Sequence, residues 1–102
     1  MIQEPVYSTL RRTEFAELVD LFVGELPLRM SVIEQLMAAG DREGLCRAAH
    51  QLKGSAGGYG FGDLCLYAGR VEALCRDRRT TGDQLETAVD ELSQQASRVR
   101  AK

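Results

Sequence analysis

The sequence predicts an all-α protein, an antiparallel up-down-up-down four-helix bundle. Three observations carry that reading. Apolar residues recur at steps of three and four through four stretches, the period of a helix with one buried face. Glycine, aspartate and threonine clusters separate the stretches by only a few residues, which favours antiparallel neighbours. No stretch alternates with the period of two that a strand needs, and no internal repeat is visible.

The first helix is expected from about Thr13 to Ala39, with Phe15, Leu18, Val19, Phe22, Leu26, Met30, Ile33, Leu36 and Met37 on its inward stripe. Thr13 is placed to cap it, with Ala16 standing where a full capping box would have an acid or amide. Pro27 removes one backbone donor inside the run and predicts a kink or local irregularity. Gly40-Asp41 makes the stop and the next cap. The second helix then runs from about Asp41 to Tyr59, turning Leu45, Ala48 or Ala49, Leu52, Ala56 and Tyr59 inward. The third begins near Gly62-Asp63 and carries Leu64, Ala68, Val71 and Cys75, until Thr80-Thr81-Gly82-Asp83 breaks it. The fourth runs from about Asp83 to Val99 through Leu85, Val89, Leu92, Ala96 and Val99. "PVYSTLRR", ahead of the first, supplies one apolar turn for a short extra N-terminal helix.

The 102 residues fit one domain, and 44% hydrophobic and 27% charged residues are the composition of a globular chain rather than a disordered one. A net charge of −2 gives no electrostatic support for nucleic-acid binding. No apolar run reaches the roughly 18 residues of a membrane span. The N-terminus lacks the basic start and apolar core of a signal peptide, so the chain reads as a soluble cytoplasmic monomer. Cys46, Cys65 and Cys75 are odd in number and lack C-x-x-C spacing, which argues for reduced thiols and against a disulfide framework or a zinc site.

"AHQLKGSAGGYG", residues 49 to 60, holds the single histidine and four glycines inside the second helix. Each glycine in a helix interior costs about 0.8–1 kcal/mol relative to alanine. With Leu52 set at zero on a helical wheel, His50 falls at about 160°, almost opposite the core. Cys46 at about 120°, Gly57 at about 140°, Gly54 at about 200° and Arg47 at about 220° share its side. Gly54 and Gly57 thus strip the surface beside His50, so that another macromolecule can come close to the imidazole. Gly58 and Gly60 act differently, loosening and then ending the helix, with Gly60 taking the positive-φ cap. Arg47 at i−3 and Lys53 at i+3 flank the histidine with cations, an arrangement suited to an anion on the ring. A single exposed histidine is ordinarily only solvated. Here the conjunction of cations and glycines on the face away from the core is poorly explained by packing.

These residues resemble the signature of histidine-containing phosphotransfer (HPt) domains: histidine, any residue, an apolar residue, Lys-Gly, and a glycine ten residues after the histidine. They are His50, Leu52, Lys53, Gly54 and Gly60. "AAGD" before the helix, "FGDL" after it and "RVEAL" on the third helix agree, so the resemblance spans about residues 14 to 78. It implies a phosphocarrier without a kinase domain of its own. His50 would accept a phosphoryl group from an aspartyl-phosphate of a receiver domain, or from a hybrid sensor histidine kinase, and relay it to a response regulator. Lys53 would help hold the phosphate and Gly54 would give clearance. Glu72 stands where a glutamate of the chemotaxis-kinase branch hydrogen-bonds the histidine, and counting from the Gly60–Gly62 turn sets it level with His50. No metal or cofactor is expected on the chain itself, the Mg²⁺ coming with the receiver.

A receiver would dock around His50, on Cys46, Arg47 and Gly57 of the second helix. Leu28, Arg29 and Val32 of the first helix, level with His50 by counting from the Gly40-Asp41 turn, would add an apolar patch with a cationic rim. Other classes remain. A helical adaptor would bind a kinase or receiver without carrying phosphate. A metal site seeded by Cys46 and His50 lacks further ligands. A histidine-nucleophile hydrolase lacks a second catalytic acid or base.

Overall fold

The computed structural model describes residues 4–101. Four helices account for most of them: α1 (Ala16–Ala39), α2 (Arg42–Gly58), α3 (Gly62–Arg76) and α4 (Gly82–Ser97), flanked by two-residue strands β1 (Val6–Tyr7) and β2 (Val99–Arg100). Each helix packs on its predecessor and α4 closes against α1, giving the expected four-helix bundle. The core is the set of inward stripes. Val19, Phe22, Leu26, Met30 and Ile33 come from α1, and Leu45, Ala49, Leu52 and Ala56 from α2. Leu64, Ala68, Val71 and Cys75 of α3 and Leu85, Ala88, Val89, Leu92 and Ala96 of α4 complete it.

The helix stops follow the glycine and capping chemistry. Gly40 takes φ 72° and its N–H reaches the Leu36 and Met37 carbonyls, while the Asp41 carboxylate accepts from the Gly44 N–H at 2.9 Å. Gly60 takes φ 82° at the α2–α3 turn. A Cβ there would stand 2.6 Å from both Ser8 Oγ and Thr9 Oγ1, because the N-terminal segment lies across this turn. The Thr9 N–H donates to the Gly60 carbonyl at 3.0 Å and the Ser8 hydroxyl donates to the Tyr59 carbonyl.

Several expectations are corrected. No helix forms over "PVYSTLRR": β1 pairs in parallel with β2, Val6 opposite Val99 and Tyr7 opposite Arg100, and turns lead from Thr9 to α1. Two-residue strands leave no periodicity to read. For the same reason α4 ends at Ser97 rather than Val99, whose side chain is still buried, but in β2. Thr13 is not the cap of α1, since the helix begins at Ala16 and the Thr13 hydroxyl is used in a turn, accepting from the Phe15 N–H at 3.1 Å. Phe15 and Leu18 are exposed, and Val19 takes the core position. Pro27 lies inside α1, which runs on to Ala39. Thr81, read as part of a breaker, caps α4 in a full capping box with Gln84.

The end of α3 is tied to the start of α2. The half-buried Arg42 guanidinium donates to the carbonyls of Leu74, Cys75, Asp77 and Thr80 at 2.8–3.1 Å. The Leu74 and Asp77 carbonyls also accept the backbone N–H groups of Asp77 and Thr80, whereas those of Cys75 and Thr80 rely on the guanidinium.

Candidate functional site

The α2 and α3 helices run antiparallel from the Gly60 turn. Residues whose numbers sum to 122 therefore come level, and His50 meets Glu72. The imidazole Nδ1 and Glu72 Oε2 are 2.6 Å apart. The Lys53 ammonium lies 2.7 Å from Glu72 Oε1, and an Arg76 guanidinium nitrogen 2.9 Å from Oε2. The exposures differ sharply: the Glu72 side chain keeps only 6% of its surface and that of His50 keeps 60%. A carboxylate withdrawn from water is here enclosed by three nitrogen donors.

Its charge state follows from those contacts. The Lys53 hydrogen bond holds the Glu72 carboxyl below its ordinary range against the opposing pull of burial, with help from His50 and the Arg76 charge. An ionised carboxylate only accepts hydrogen bonds, so the proton between Glu72 and His50 sits on Nδ1. In the neutral form of the ring, which faces solvent, Nε2 then carries the lone pair. An unprotonated Nε2 beside a lysine is a nucleophile oriented by its neighbour, the arrangement that activates weak nucleophiles generally.

Gly54 borders the ring from the next turn, and a Cβ built on it meets nothing within 4 Å. The surface there is open. Gly57 is different. A Cβ on it would stand 3.3 Å from Cys65 Sγ, so its missing side chain lets α2 and α3 approach one turn beyond the site. Gly57 is itself exposed, so it serves the helix seam from the surface. Gly69 does the equivalent on α3. A Cβ there would come 3.2 Å from Lys53 Cδ, so the glycine leaves a trough for the lysine stem on its way to Glu72.

The remaining expected residues lie around this cluster. Arg47 is not drawn into it, pairing instead with Glu43 at 3.7 Å on open surface. Cys46 is half-buried and meets the Arg76 guanidinium, a contact that, ahead of Glu72, raises the arginine's pKa. Leu28 and Val32 stand out from α1 at 72% and 43% exposure. With Arg29, Ile33, Ala48 and Gln51 they line a groove of about 330 Å³ between α1 and α2. Arg29 pairs with Glu25 at 3.5 Å and lies over the Phe22 ring. Among the described residues no three His, Cys, Asp or Glu side chains cluster as metal ligands. Burial pushes the Cys75 thiol up to about 11, so it packs as an apolar group.

Sequence reasoning missed Arg76 and Gly69. The spacing Glu72-x-x-x-Arg76 within "EALCR" was the available signal for the first. Gly69 had none, because its role exists only across the helix pair.

Residues 17–102 match the family profile described as Hpt domain. The chain belongs to the Hpt domain family. The match runs through α4 to the last residue, further than the signature around His50. Searches of curated proteins and of solved structures return no match. Among the described residues no helix is long and apolar enough to cross a membrane. For an Hpt domain, phosphotransfer in a phosphorelay is the family's role, and such modules carry phosphate without kinase activity.

Proposed function

We propose that this Hpt domain carries a phosphoryl group on His50 Nε2, taken from an aspartyl-phosphate of a receiver domain and passed to another receiver. The observation that carries the reading is the ring held by Glu72 at Nδ1 while Nε2 faces solvent beside the side-chain-free Gly54. In the transfer, the Nε2 lone pair attacks phosphorus and an N–P bond forms. The P–O bond to the aspartyl group breaks, and the receiver's carboxylate leaves with the electron pair. The Nδ1 proton stays in place, and Glu72 offsets the positive charge that develops on the ring. Lys53, three residues along the same helix, leaves Glu72 Oε1 to neutralise the phosphoryl oxygens. The receiver supplies the Mg²⁺ ion.

The receiver docks over His50, with the groove of Leu28, Val32 and Arg29 taking its apolar surface. Cys46 and Lys53 lie on the same side, and Arg47 and Arg29 add cations toward the acidic pocket of a receiver. A relay must release its partner quickly, which fits a small interface. A hybrid sensor kinase delivers phosphate through the same face, since its receiver domain presents the same chemistry.

Incubation with a phosphorylated cognate receiver should give an acid-labile, base-stable label on the chain. His50→Gln should abolish it. Persistent labelling of that variant would overturn the assignment, since no other histidine exists in the sequence. A wild-type chain that binds receiver and takes no label would instead be an adaptor.

A further inference from the structure

Arg76 is the last residue of α3, where a cation favours a helix end. That end is already served. The Arg42 guanidinium takes the Leu74, Cys75 and Asp77 carbonyls. Arg76 turns back one helical turn instead and places its nitrogen 2.9 Å from Glu72 Oε2, the same oxygen that accepts from His50 Nδ1. Glutamate four residues before arginine is the favourable order on a helix.

Two cations therefore divide one buried carboxylate, Lys53 on Oε1 and Arg76 on Oε2. They are not equivalent. Lys53 shares a helix with His50 and is the cation that goes to a phosphoryl group on the ring, so it must let go of Oε1. A buried carboxylate stripped of its only cation takes up a proton or turns toward water. Either event ends its acceptance from Nδ1 and frees the ring to place its proton on Nε2, where the lone pair is needed. Arg76 lies on α3 rather than α2, and its hold on Oε2 does not depend on where the lysine points.

We propose that Arg76 is a positioning residue, which keeps the Glu72 carboxylate turned toward His50 Nδ1 while Lys53 moves from Oε1 to the phosphoryl group. The inference rests on the reading of His50 as phosphoacceptor, and its test has one arm that needs no phosphate.

In that arm, long-range ¹⁵N NMR reads the tautomer of the neutral imidazole in the wild-type chain, Lys53→Met, Arg76→Gln and the double variant. Each single variant retains one cation on Glu72 and is expected to keep the proton on Nδ1. The double variant is expected to lose it, shifting to the Nε2–H form that free imidazole side chains prefer. A double variant with the wild-type tautomer overturns the proposal. Both side chains face solvent, and thermal melts of all four proteins check that the fold is kept.

The second arm uses phosphorylated receiver as donor and needs only Arg76→Gln. Transfer at saturating receiver is expected to fall about tenfold, with the half-saturating concentration unchanged. A wild-type rate overturns the proposal. So does an effect confined to the half-saturating concentration, which makes Arg76 a docking contact. If the wild-type chain takes no label, the phosphoacceptor reading fails, and the tautomer arm alone decides whether Arg76 holds Glu72.

Discussion

Glu72 shows how a single residue sets the character of the site. It is a carboxylate in a helix–helix seam that stays charged because Lys53, His50 and Arg76 converge on its two oxygens. Its pKa in the fold lies below the ordinary 4.5, so its ionised form stabilises the native state above that value. The stabilisation is lost as pH falls through the lowered pKa. Urea midpoints of the wild-type chain should therefore drop as pH is lowered below about 4.5, and Glu72→Gln should flatten that part of the profile. A profile unchanged by the substitution would mean that other carboxylates govern acid unfolding. The two glycines near the site should separate in the same kind of measurement. Gly54→Leu meets open space, so its melting temperature should hold or rise, helix propensity improving by as much as about 1 kcal/mol. Phosphotransfer should still fall by at least about tenfold, a near-contact approach being sensitive to small displacements. Gly57→Leu presses on Cys65 Sγ, so it should lower the melting temperature.

Among the elements, the α2–α3 pair matters most, because its register brings His50 to Glu72 and Lys53 past Gly69. Two devices hold that register. At one end the Gly60 turn is short and is covered by Ser8 and Thr9. At the other, Arg42 gathers the last carbonyls of α3 and the Thr80 carbonyl onto one guanidinium. Arg42→Ala would leave the Cys75 and Thr80 carbonyls without a partner in the chain and should cost about 2–3 kcal/mol in a urea titration. Arg42→Lys should recover only part of the loss, since an ammonium cannot reproduce the planar fork. An alanine variant as stable as wild type would show that water serves those carbonyls equally well.

For the whole molecule, the bundle leaves one face of α1 and α2 doing two things at once. The stripes of Phe22, Leu26, Ile33 and Leu52 close the core beneath, while Leu28 and Val32 stay exposed above beside the histidine helix. Apolar side chains that do not contribute to the core can be replaced without unfolding the chain. Leu28→Asp should therefore keep its circular dichroism and melting temperature, weaken receiver binding and slow transfer. Unchanged binding in titration calorimetry would place the docking face elsewhere, even with His50 as phosphoacceptor.

Helix number, order and inward faces were legible in the sequence because helical periodicity is local, as Val19 to Ile33 on α1 and Leu64 to Cys75 on α3 illustrate. The glycine stops at Gly40 and Gly60 were legible for the same reason, since a positive φ is a property of one residue and its neighbours. The exposed His50, with Lys53 and Gly54 one turn on, could also be placed from the wheel. The tertiary structure decided what depends on residues far apart in the chain. The pairing of Val6 with Val99 joins the two ends of the described chain and leaves no local pattern. Gly57 proved a packing residue only once Cys65 stood opposite it, and Gly69 acquired a role only from the lysine crossing it. The charge and tautomer of the site belong to this class too. Counting from the Gly60–Gly62 turn already set Glu72 of "RVEAL" level with His50, but its burial and its contacts with Lys53 and Arg76 needed α3 turned against α2. Only then do burial and three donors from two helices place its carboxylate against Nδ1 of His50.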